Sequence, residues 1–516
     1  MEKLKIKSVE EMTIDELIGQ VIMVGLPFTY LDDKYKEFIK KYKIGNYILF
    51  ARNYSDTVQM QKFMKDLYEY TNELVGSFPL ISIDQEGGMV VRLFKDVTFP
   101  ASPLTTSATS VEEAPYKTGK IIANDMLKMG INLNLAPCLE INDGLSNPLV
   151  NVRGYGANKE LVLKNAKAFV KGLQDSGALS CIKHFPGAGS STKDSHLELP
   201  IIDELKENLL NYNMYPFMRL LESDALMTSH CIYKSFDELP STLSKALLTD
   251  VLRNEIGYEG LIISDGMEMK AITDFYGLGQ GCVMALNAGC DILLLCHEYE
   301  EQREAFVTVK KAVEEGVIAI DLLREKVKRI NLAKEKVLKG LNKYFDDTTY
   351  EINEKEHKLM EEIVDNSYTL IKGAAPTLTP NTLILSSKVN VASIVEDEFD
   401  TRNLTLMLKK YFTNDIIEFT KDETFVNEIL SIANKYDNII IYSYDAYNDR
   451  VQKELINKLL KTKDNIYVVS LKGPIDQGYF DNLQNYSCLY EYTPNSIKTI
   501  IKQLNKEINL NGQLPE

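Results

Sequence analysis

The chain has 516 residues, of which 45% are apolar, and a formal net charge of −16. It is too long for one ordinary domain, and a barrel of the usual length plus a smaller domain would fit. The negative charge argues against a nucleic acid or an anionic membrane surface as the partner. The amino terminus lacks the apolar run of a secretory signal or a membrane span. Seven cysteines without tight pairs indicate reduced, buried thiols, so we expect a cytoplasmic protein.

Short apolar runs recur along about the first 300 residues, and each precedes a turn and an amphipathic helical pattern. The first helix begins after Thr13, which forms a capping box with Glu16. Apolar strands that alternate with helices indicate a parallel sheet covered on its outer face. Eight units favour a closed (β/α)8 barrel of the TIM type, although an open doubly wound sheet has the same periodicity. The predicted strands are residues 21–24, 47–50, 80–83, 131–135, 178–182, 225–227, 261–263 and 292–295, and the predicted helices include 57–74, 114–129, 159–176, 244–255 and 276–288.

The rest of the chain is predicted to form a smaller α/β sandwich domain. A long amphipathic helix over residues 321–341 ends the barrel, residues 346–349 suit a linker, and another helix covers 351–366. We therefore divide the chain into a catalytic barrel (1–345), a linker and helix (346–368) and a carboxyl-terminal domain (369–516). The predicted strands of that domain are residues 382–385, 438–442 and 465–471, and its predicted helices are 424–436 and 451–462.

Polar side chains gather where the predicted barrel strands end. In a (β/α)8 barrel the carboxyl ends of the strands form the face that carries chemistry. The sequence DQEGG (residues 84–88) follows the third strand, Lys183 and His184 follow the fifth, and Asp265 follows the seventh. Any one charged residue there could be a structural ion-pair partner, but convergence from several strands predicts a site. The same rim includes Arg92, Arg153, His230 and His297.

The loop after the fifth strand carries a carboxylate and an imidazole two residues apart, Asp194 and His196. Its glycines and proline are incompatible with a regular helix or strand. Such a pair on a loop is typical of an acid/base catalyst delivered by a moving segment, and an ordinary surface loop is the alternative.

The residue types at this rim suggest glycoside chemistry. A carboxylate on a rigid strand end, such as Asp265, facing a separate proton donor follows the two-group logic of retaining glycoside hydrolysis. The unperturbed pKa of histidine, about 6.5, suits His196 for proton transfer near neutrality, and Asp194 would fix its tautomer. Neither a P-loop nor a dinucleotide-binding glycine motif in the right register appears in the sequence.

Two other classes of protein are alternatives to a glycoside hydrolase. A metal-dependent barrel hydrolase would explain several rim histidines, but the first strand offers no ligand. His184 and His230 also lack carboxylate neighbours at a clear ligand spacing in the sequence. A non-catalytic sugar-binding protein would need a lost nucleophile or acid/base, whereas Asp265 and His196 are both present.

Several motifs in order together resemble glycoside hydrolase family 3, in particular its bacterial β-N-acetylglucosaminidases associated with peptidoglycan recycling. The similarity spans roughly residues 10–340. The segments that carry it are IGNYILFARN (44–53), DQEGG (84–88), Asn147-Pro148 with Arg153, KHFPG (183–187) with DSH (194–196), and SDGMEM (264–269).

The resemblance implies that Asp265 is the nucleophile and that His196, assisted by Asp194, is the acid/base. It also implies a retaining exo-enzyme that removes terminal N-acetylglucosamine from peptidoglycan- or chitin-derived saccharides, without a cofactor or a metal ion. A glycoside phosphorylase stays open as an alternative, because a neutral histidine base does not repel phosphate as a carboxylate would. A β-glucosidase stays open too, since selectivity for the acetamido group rests on the resemblance alone. The residues implied to hold the terminal sugar are Asp84, Arg92, Arg153, Lys183 and His184.

The chain also departs from the family pattern. The family commonly has His and Asp around the glycine-rich turn, where this chain has Ala188, Ser190 and Ser191. It often has Asp at the position of Glu140, and some members have a second Asp at the position of Gly266. None of these departures removes a predicted catalytic group.

Overall fold

The structure is a computed structural model that describes residues 4–143, 150–188, 199–344, 350–387, 403–422 and 424–516. Eight parallel strands close into a barrel, which confirms the predicted (β/α)8 fold and excludes the open sheet. Each strand pairs with the next one in the chain, and the last pairs with the first through contacts such as Met23 with Leu294. The strands are β1 (Ile22–Gly25), β2 (Asn46–Leu49), β3 (Leu80–Ile83), β4 (Leu133–Asn134), β5 (Leu179–Phe185), β6 (Ala225–Thr228), β7 (Leu261–Gly266) and β8 (Ile292–Leu295).

Helices cover the outer face of the barrel, which explains why its strands are apolar on both faces. The predicted capping box at Thr13 is confirmed, because its side chain and that of Glu16 each accept the other's backbone N–H. The helix predicted over residues 276–288 is observed as Leu278–Ala288; it starts two residues later because Gly277, with φ 74°, separates it from the helix Lys270–Tyr276. The helices are Ile14–Gln20, Asp33–Tyr42, Thr57–Val75, Pro103–Ala108, Ala114–Lys128, Lys159–Ser176, Lys206–Asn211, the π-helix Ala246–Glu255, Lys270–Tyr276, Leu278–Ala288, Tyr299–Glu314 and Ile320–Tyr344.

The second part of the chain is a six-stranded sheet between two layers of helices, which confirms the predicted α/β sandwich. The sheet order is β9-β14-β13-β12-β10-β11, and only β9 is antiparallel to its neighbour. Side chains alternate between two cores, so Ile440 faces one and Ile439 the other. The strands are β9 (Thr369–Lys372), β10 (Thr382–Ser386), β11 (Asp415–Glu418), β12 (Asn438–Ser443), β13 (Ile466–Ser470) and β14 (Asn485–Cys488); the helices are Glu354–Ser367, Leu404–Tyr411, Thr424–Ala433, Arg450–Leu460 and Pro494–Leu504.

The sandwich packs against loops at the carboxyl ends of the barrel strands. Glu491 is fully buried and accepts hydrogen bonds of 2.8 Å from the Ser102 backbone N–H and the Thr105 hydroxyl. Gly473 lies so close to Asn151 that a Cβ atom at position 473 would be 2.4 Å from the Asn151 Oδ1. One apolar core joins the two parts, with Met89, Leu104, Ala108 and Val152 from the barrel side and Tyr490, Tyr492 and Leu489 from the sandwich.

The predicted domain limits of 1–345, 346–368 and 369–516 remain a prediction, and the predicted linker at 346–349 lies outside the described residues. All seven cysteines are buried and none forms a disulfide, which confirms the predicted buried thiols. Among the described residues, no helix combines the length and the apolar composition needed to cross a bilayer.

Lys334 is a fully buried lysine at the end of the barrel opposite the predicted site. Its Nζ donates a hydrogen bond of 2.7 Å to the Oε1 of Gln20, just before β1. Burial lowers the pKa of Lys334 from 10.5 to about 7. The unfolded chain therefore binds more protons between pH 7 and 10.5, so Lys334 makes stability rise with pH across that window.

We expect Lys334→Met to remove this pH dependence. The free energy of unfolding of the unaltered protein, relative to that of the variant, should rise by up to about 4 kcal/mol between pH 7 and 10. Urea unfolding at several pH values measures the difference. Lys328→Met, on the exposed side of the same helix, is the control and should give a difference that does not vary with pH. A constant difference for Lys334→Met as well would contradict the assignment.

Candidate functional site

The carboxyl ends of β3 and β5 carry a buried network of opposite charges. Lys183 donates a hydrogen bond of 2.7 Å to the Oδ1 of Asp84 and lies 2.6 Å from the Oε1 of Glu86. Arg92 lies 3.6 Å from the Oδ2 of Asp84, and Arg153 binds Glu86 through two hydrogen bonds of 2.9 and 2.8 Å. Four of the five predicted sugar-binding residues therefore lie together, with Glu86 as an additional member.

Mutual pairing keeps this network charged. Burial alone would raise the pKa of Glu86, but the charges of Arg153 and Lys183 hold that pKa well below 4.5. Burial alone would lower the pKa of Lys183, but Asp84 and Glu86 hold it well above 10.5. Unpaired charges at such depth would be costly. The network therefore presents fixed charges and N–H donors that suit a polar ligand.

The DQEGG segment folds the chain back so that Arg92 returns to the barrel mouth. The Gln85 side chain accepts hydrogen bonds from the backbone N–H groups of Arg92 and Leu93, at 2.8 and 3.1 Å. Gly87 has φ 107°, and a Cβ atom there would lie 2.2 Å from the carbonyl oxygen of Ala101. Only glycine accommodates both that backbone conformation and that close approach.

His184 is held by a carboxylate in the segment that follows β4. Its backbone N–H and its Nδ1 both contact the Oε1 of Glu140, at 2.8 and 2.7 Å. The sequence spacing gave no sign of this neighbour, because Glu140 is 44 residues away in the chain. Cys138 completes a group of three potential metal ligands, whose donor atoms lie within 4.8 Å of one another.

Asp265 lies near the end of β7, on a peptide that His230 positions. The Oδ1 of Asp265 accepts a hydrogen bond of 2.8 Å from the N–H of Gly266. The Nε2 of His230 is 2.9 Å from the carbonyl oxygen of Gly266, and its Nδ1 is 2.8 Å from the Thr242 hydroxyl. Because a carbonyl oxygen only accepts, the proton is on Nε2. His230 thus holds the carboxyl end of β7, which carries Asp265, through this hydrogen bond.

Asp265 and the charged network share one barrel mouth. Burial raises the pKa values of the Cys181 and Cys296 thiols, and the charges of Asp265 and Asp84 raise both further. The closed parallel barrel itself brings these groups to one face, because Asp84 follows β3 and Lys183 and Asp265 lie at the carboxyl ends of β5 and β7. Glu268 also contacts this region, since its carboxylate accepts the backbone N–H of Cys296. Burial raises the pKa of Glu268 to about 7.

The FARN segment (residues 50–53), which follows β2, contacts the loops after β1 and β8. Arg52 donates to the carbonyl oxygens of Leu26 and Cys296 at 3.0 and 2.6 Å, and its Nη1 lies 3.2 Å from the Nδ1 of His297. The Asn53 side chain also donates to the Leu26 carbonyl. The motif therefore fixes the loops after β1 and β8 at this side of the mouth.

The predicted acid/base pair, Asp194 and His196, lies outside the described residues, and so do Asn147 and Pro148. Sequence reasoning missed Glu86 and Glu140 as members of the site. The sequence did contain a signal for Glu86. Residues two apart in an extended segment point to the same face, and Asp84 is a predicted sugar-binding residue. No comparable local signal existed for Glu140.

Known proteins resemble this chain in sequence and in fold. A sequence model described as the glycosyl hydrolase family 3 N-terminal domain matches residues 13–333. The β-hexosaminidase A of Pseudoalteromonas piscicida is 30% identical over 320 residues, which cover 55% of this chain and 54% of that protein. This chain thus spans about half the length of that relative.

Two solved structures resemble the whole chain. A glycoside hydrolase family 3 β-N-acetylglucosaminidase from Paenibacillus sp. str. FPU-7 superposes with a TM-score of 0.89 and 31% identity, covering 98% of both chains. A β-glucoside phosphorylase, BglX, superposes with a TM-score of 0.79 over 98% of this chain and 94% of its own. At 21% identity this second likeness concerns the fold alone. The family match covers all eight barrel strands and more than half of the chain, and on that basis the chain belongs to glycosyl hydrolase family 3.

Proposed function

We propose that this protein is a retaining exo-β-N-acetylglucosaminidase that acts in the cytoplasm on terminal N-acetylglucosamine of peptidoglycan- or chitin-derived saccharides. The observation that carries the proposal is the shared barrel mouth, where the strand end that carries Asp265 accompanies the buried network of Asp84, Lys183 and Glu86. The similarity to a β-N-acetylglucosaminidase over 98% of the chain supports the choice of sugar. The buried, unpaired cysteines support a reducing compartment.

The network supplies the contacts that a sugar needs. Hydroxyl groups of a terminal ring would donate to Asp84 and accept from Lys183, Arg92 and Arg153, whose charged N–H groups form stronger hydrogen bonds than neutral donors. Since these side chains already hold one another in place, little side-chain entropy is lost when the sugar binds. Binding energy is then available to orient the anomeric carbon toward Asp265.

In the proposed mechanism, the Asp265 carboxylate attacks the anomeric carbon while protonated His196 gives its proton to the leaving oxygen. This step breaks the glycosidic bond and forms a covalent glycosyl-enzyme. Neutral His196 then removes a proton from water, which attacks the anomeric carbon and releases the sugar with retained configuration. Asp194 stabilises the imidazolium that forms in each cycle.

A glycoside phosphorylase is the second candidate, because a neutral histidine base would not repel phosphate as a carboxylate would. In that case phosphate replaces water in the second step and the product is a sugar 1-phosphate. The charged network does not separate the two reactions, because both use the same glycosyl-enzyme.

One assay tests the proposal. We expect the protein to cleave an aryl N-acetyl-β-glucosaminide with a kcat/KM at least about 100-fold above that for the matching aryl β-glucoside. Proton NMR should detect the β-anomer as the first product, and inorganic phosphate should produce no sugar 1-phosphate. Preference for the β-glucoside, or an α-anomer as first product, would contradict the proposal, and a sugar 1-phosphate would establish the second candidate.

A further inference from the structure

Cys138, Glu140 and His184 bring a thiol, a carboxylate and an imidazole together beside the charged network. One ligand atom from each lies within 4.8 Å of the other two, and the His184 Nδ1 is 2.7 Å from the Glu140 Oε1. Cys138 and Glu140 are 2% and 4% exposed, whereas the His184 side chain is 20% exposed. Protein therefore encloses the thiol and the carboxylate, and solvent reaches the group at the His184 imidazole.

The backbone fixes these three donors before any ligand arrives. Residues 137–139 continue β4 alongside β5, with the Lys183 N–H bonded to the Pro137 carbonyl at 3.0 Å and the Leu139 N–H bonded to the Lys183 carbonyl at 2.7 Å. Glu140 follows this segment two residues after Cys138, and the ligand atoms of both side chains lie on the same side, within 4.8 Å of each other. His184 is supplied by the adjacent strand.

The donor set matches a zinc-like cation. Zinc bonds of about 2.3 Å to sulfur and 2.0–2.2 Å to nitrogen or oxygen place tetrahedral donor atoms about 3.3–3.6 Å apart. The present separations reach that range through side-chain movements of about 1 Å. A thiolate and a carboxylate balance two positive charges, and thiolate with imidazole favours zinc or cadmium over magnesium and calcium. Glu86, whose Oε2 is 3.6 Å from the Cys138 Sγ, adds an outer carboxylate.

We propose that Cys138, Glu140 and His184 form a binding site for a thiophilic divalent cation, with three protein ligands and an open fourth position. If the proposed function is correct, the cation inhibits the enzyme, because it engages the imidazole that the terminal sugar would contact.

Cadmium binding tests the site without any substrate. After treatment with a chelator, the full chain should bind one equivalent of Cd²⁺ and gain the ultraviolet charge-transfer absorption of a cadmium–thiolate bond. Cys138→Ser should remove this absorption and weaken binding by at least about 100-fold. Glu140→Gln, which keeps the thiol, should weaken binding while retaining the band. Cys488→Ser, a buried thiol of the sandwich, is the matched control and should leave both readouts unchanged.

The cadmium band decides whether Cys138 binds the cation. Absence of the band in the unaltered protein, or its persistence in Cys138→Ser, would overturn the proposal. Magnesium should not compete with cadmium, and competition at equal concentration would equally contradict a thiophilic site. In the glycosidase assay, Zn²⁺ should raise KM without lowering kcat, and less so in Cys138→Ser. Absence of glycosidase activity would refute the proposed function, whereas the cadmium-binding result would still test the cation site.

Discussion

Replacing Asp265 by asparagine is expected to lower kcat at least about 10⁴-fold on an aryl N-acetyl-β-glucosaminide, because the amide cannot form the glycosyl-enzyme. The change is nearly isosteric, so the fold and the hydrogen bond from the Gly266 N–H to Oδ1 should survive. A thermal unfolding midpoint close to that of the unaltered protein would verify this. Steady-state kinetics with both proteins measures the effect.

Two further experiments sharpen the assignment of Asp265. Asp274→Asn, an exposed carboxylate in the helix that follows, should retain full activity as a matched control. Asp265→Gly supplied with azide should form the α-glycosyl azide, because azide occupies the space of the missing carboxylate and attacks from the same face. Turnover of Asp265→Asn within tenfold of the unaltered protein would show that another group is the nucleophile.

The second large effect is expected for Glu86→Gln, which removes the charge between Arg153 and Lys183. Both cations would then be buried without their shared partner, and breaking such a pair typically costs about 3–5 kcal/mol. We expect the free energy of unfolding at pH 7 to fall by that amount and kcat/KM to fall with it, since both cations belong to the proposed sugar site. Urea unfolding measures the free energy of unfolding, and steady-state kinetics measures kcat/KM.

The pH dependence provides an independent check on Glu86. The pKa of Glu86 lies well below 4.5 in the folded protein, so its stabilising contribution is present above that pH and is lost as the pH falls through the folded value. The loss of stability in Glu86→Gln should therefore be constant above pH 5. Asp175→Asn breaks the exposed pair with Lys171 and should cost less than about 1 kcal/mol. Equal losses for the two variants would contradict a buried network.

The barrel was predictable because its strands repeat one physical pattern. A strand covered on both faces must be apolar throughout, and this rule found all eight, including β3 and β8 with their observed limits. In the sandwich, β9, β11 and β14 were missed. These strands carry polar residues, as at both ends of Asp415–Glu418, so the apolar-run rule does not detect them.

The site was less predictable because it depends on register between strands. Asp84 and Lys183 could be assigned to one rim from strand ends alone, without knowing their contact of 2.7 Å. The pairing of His184 with Glu140 requires the alignment of β4 with β5, set by contacts such as Leu133 with Leu179. Nothing local in the sequence specifies that alignment, because it is set by pairing between segments that are far apart in the chain.

The apolar core shared by the two halves links the packing of the sandwich to the proposed sugar-binding residues of the barrel. Met89 and Val152 sit in that core, a few residues from Arg92 and next to Arg153. A change in the packing of Tyr490 or Tyr492 would be transmitted through these neighbours to the two arginines. Replacing the carboxyl-terminal half by that of a homologue is therefore expected to change how tightly the sugar binds, while every proposed catalytic group stays the same.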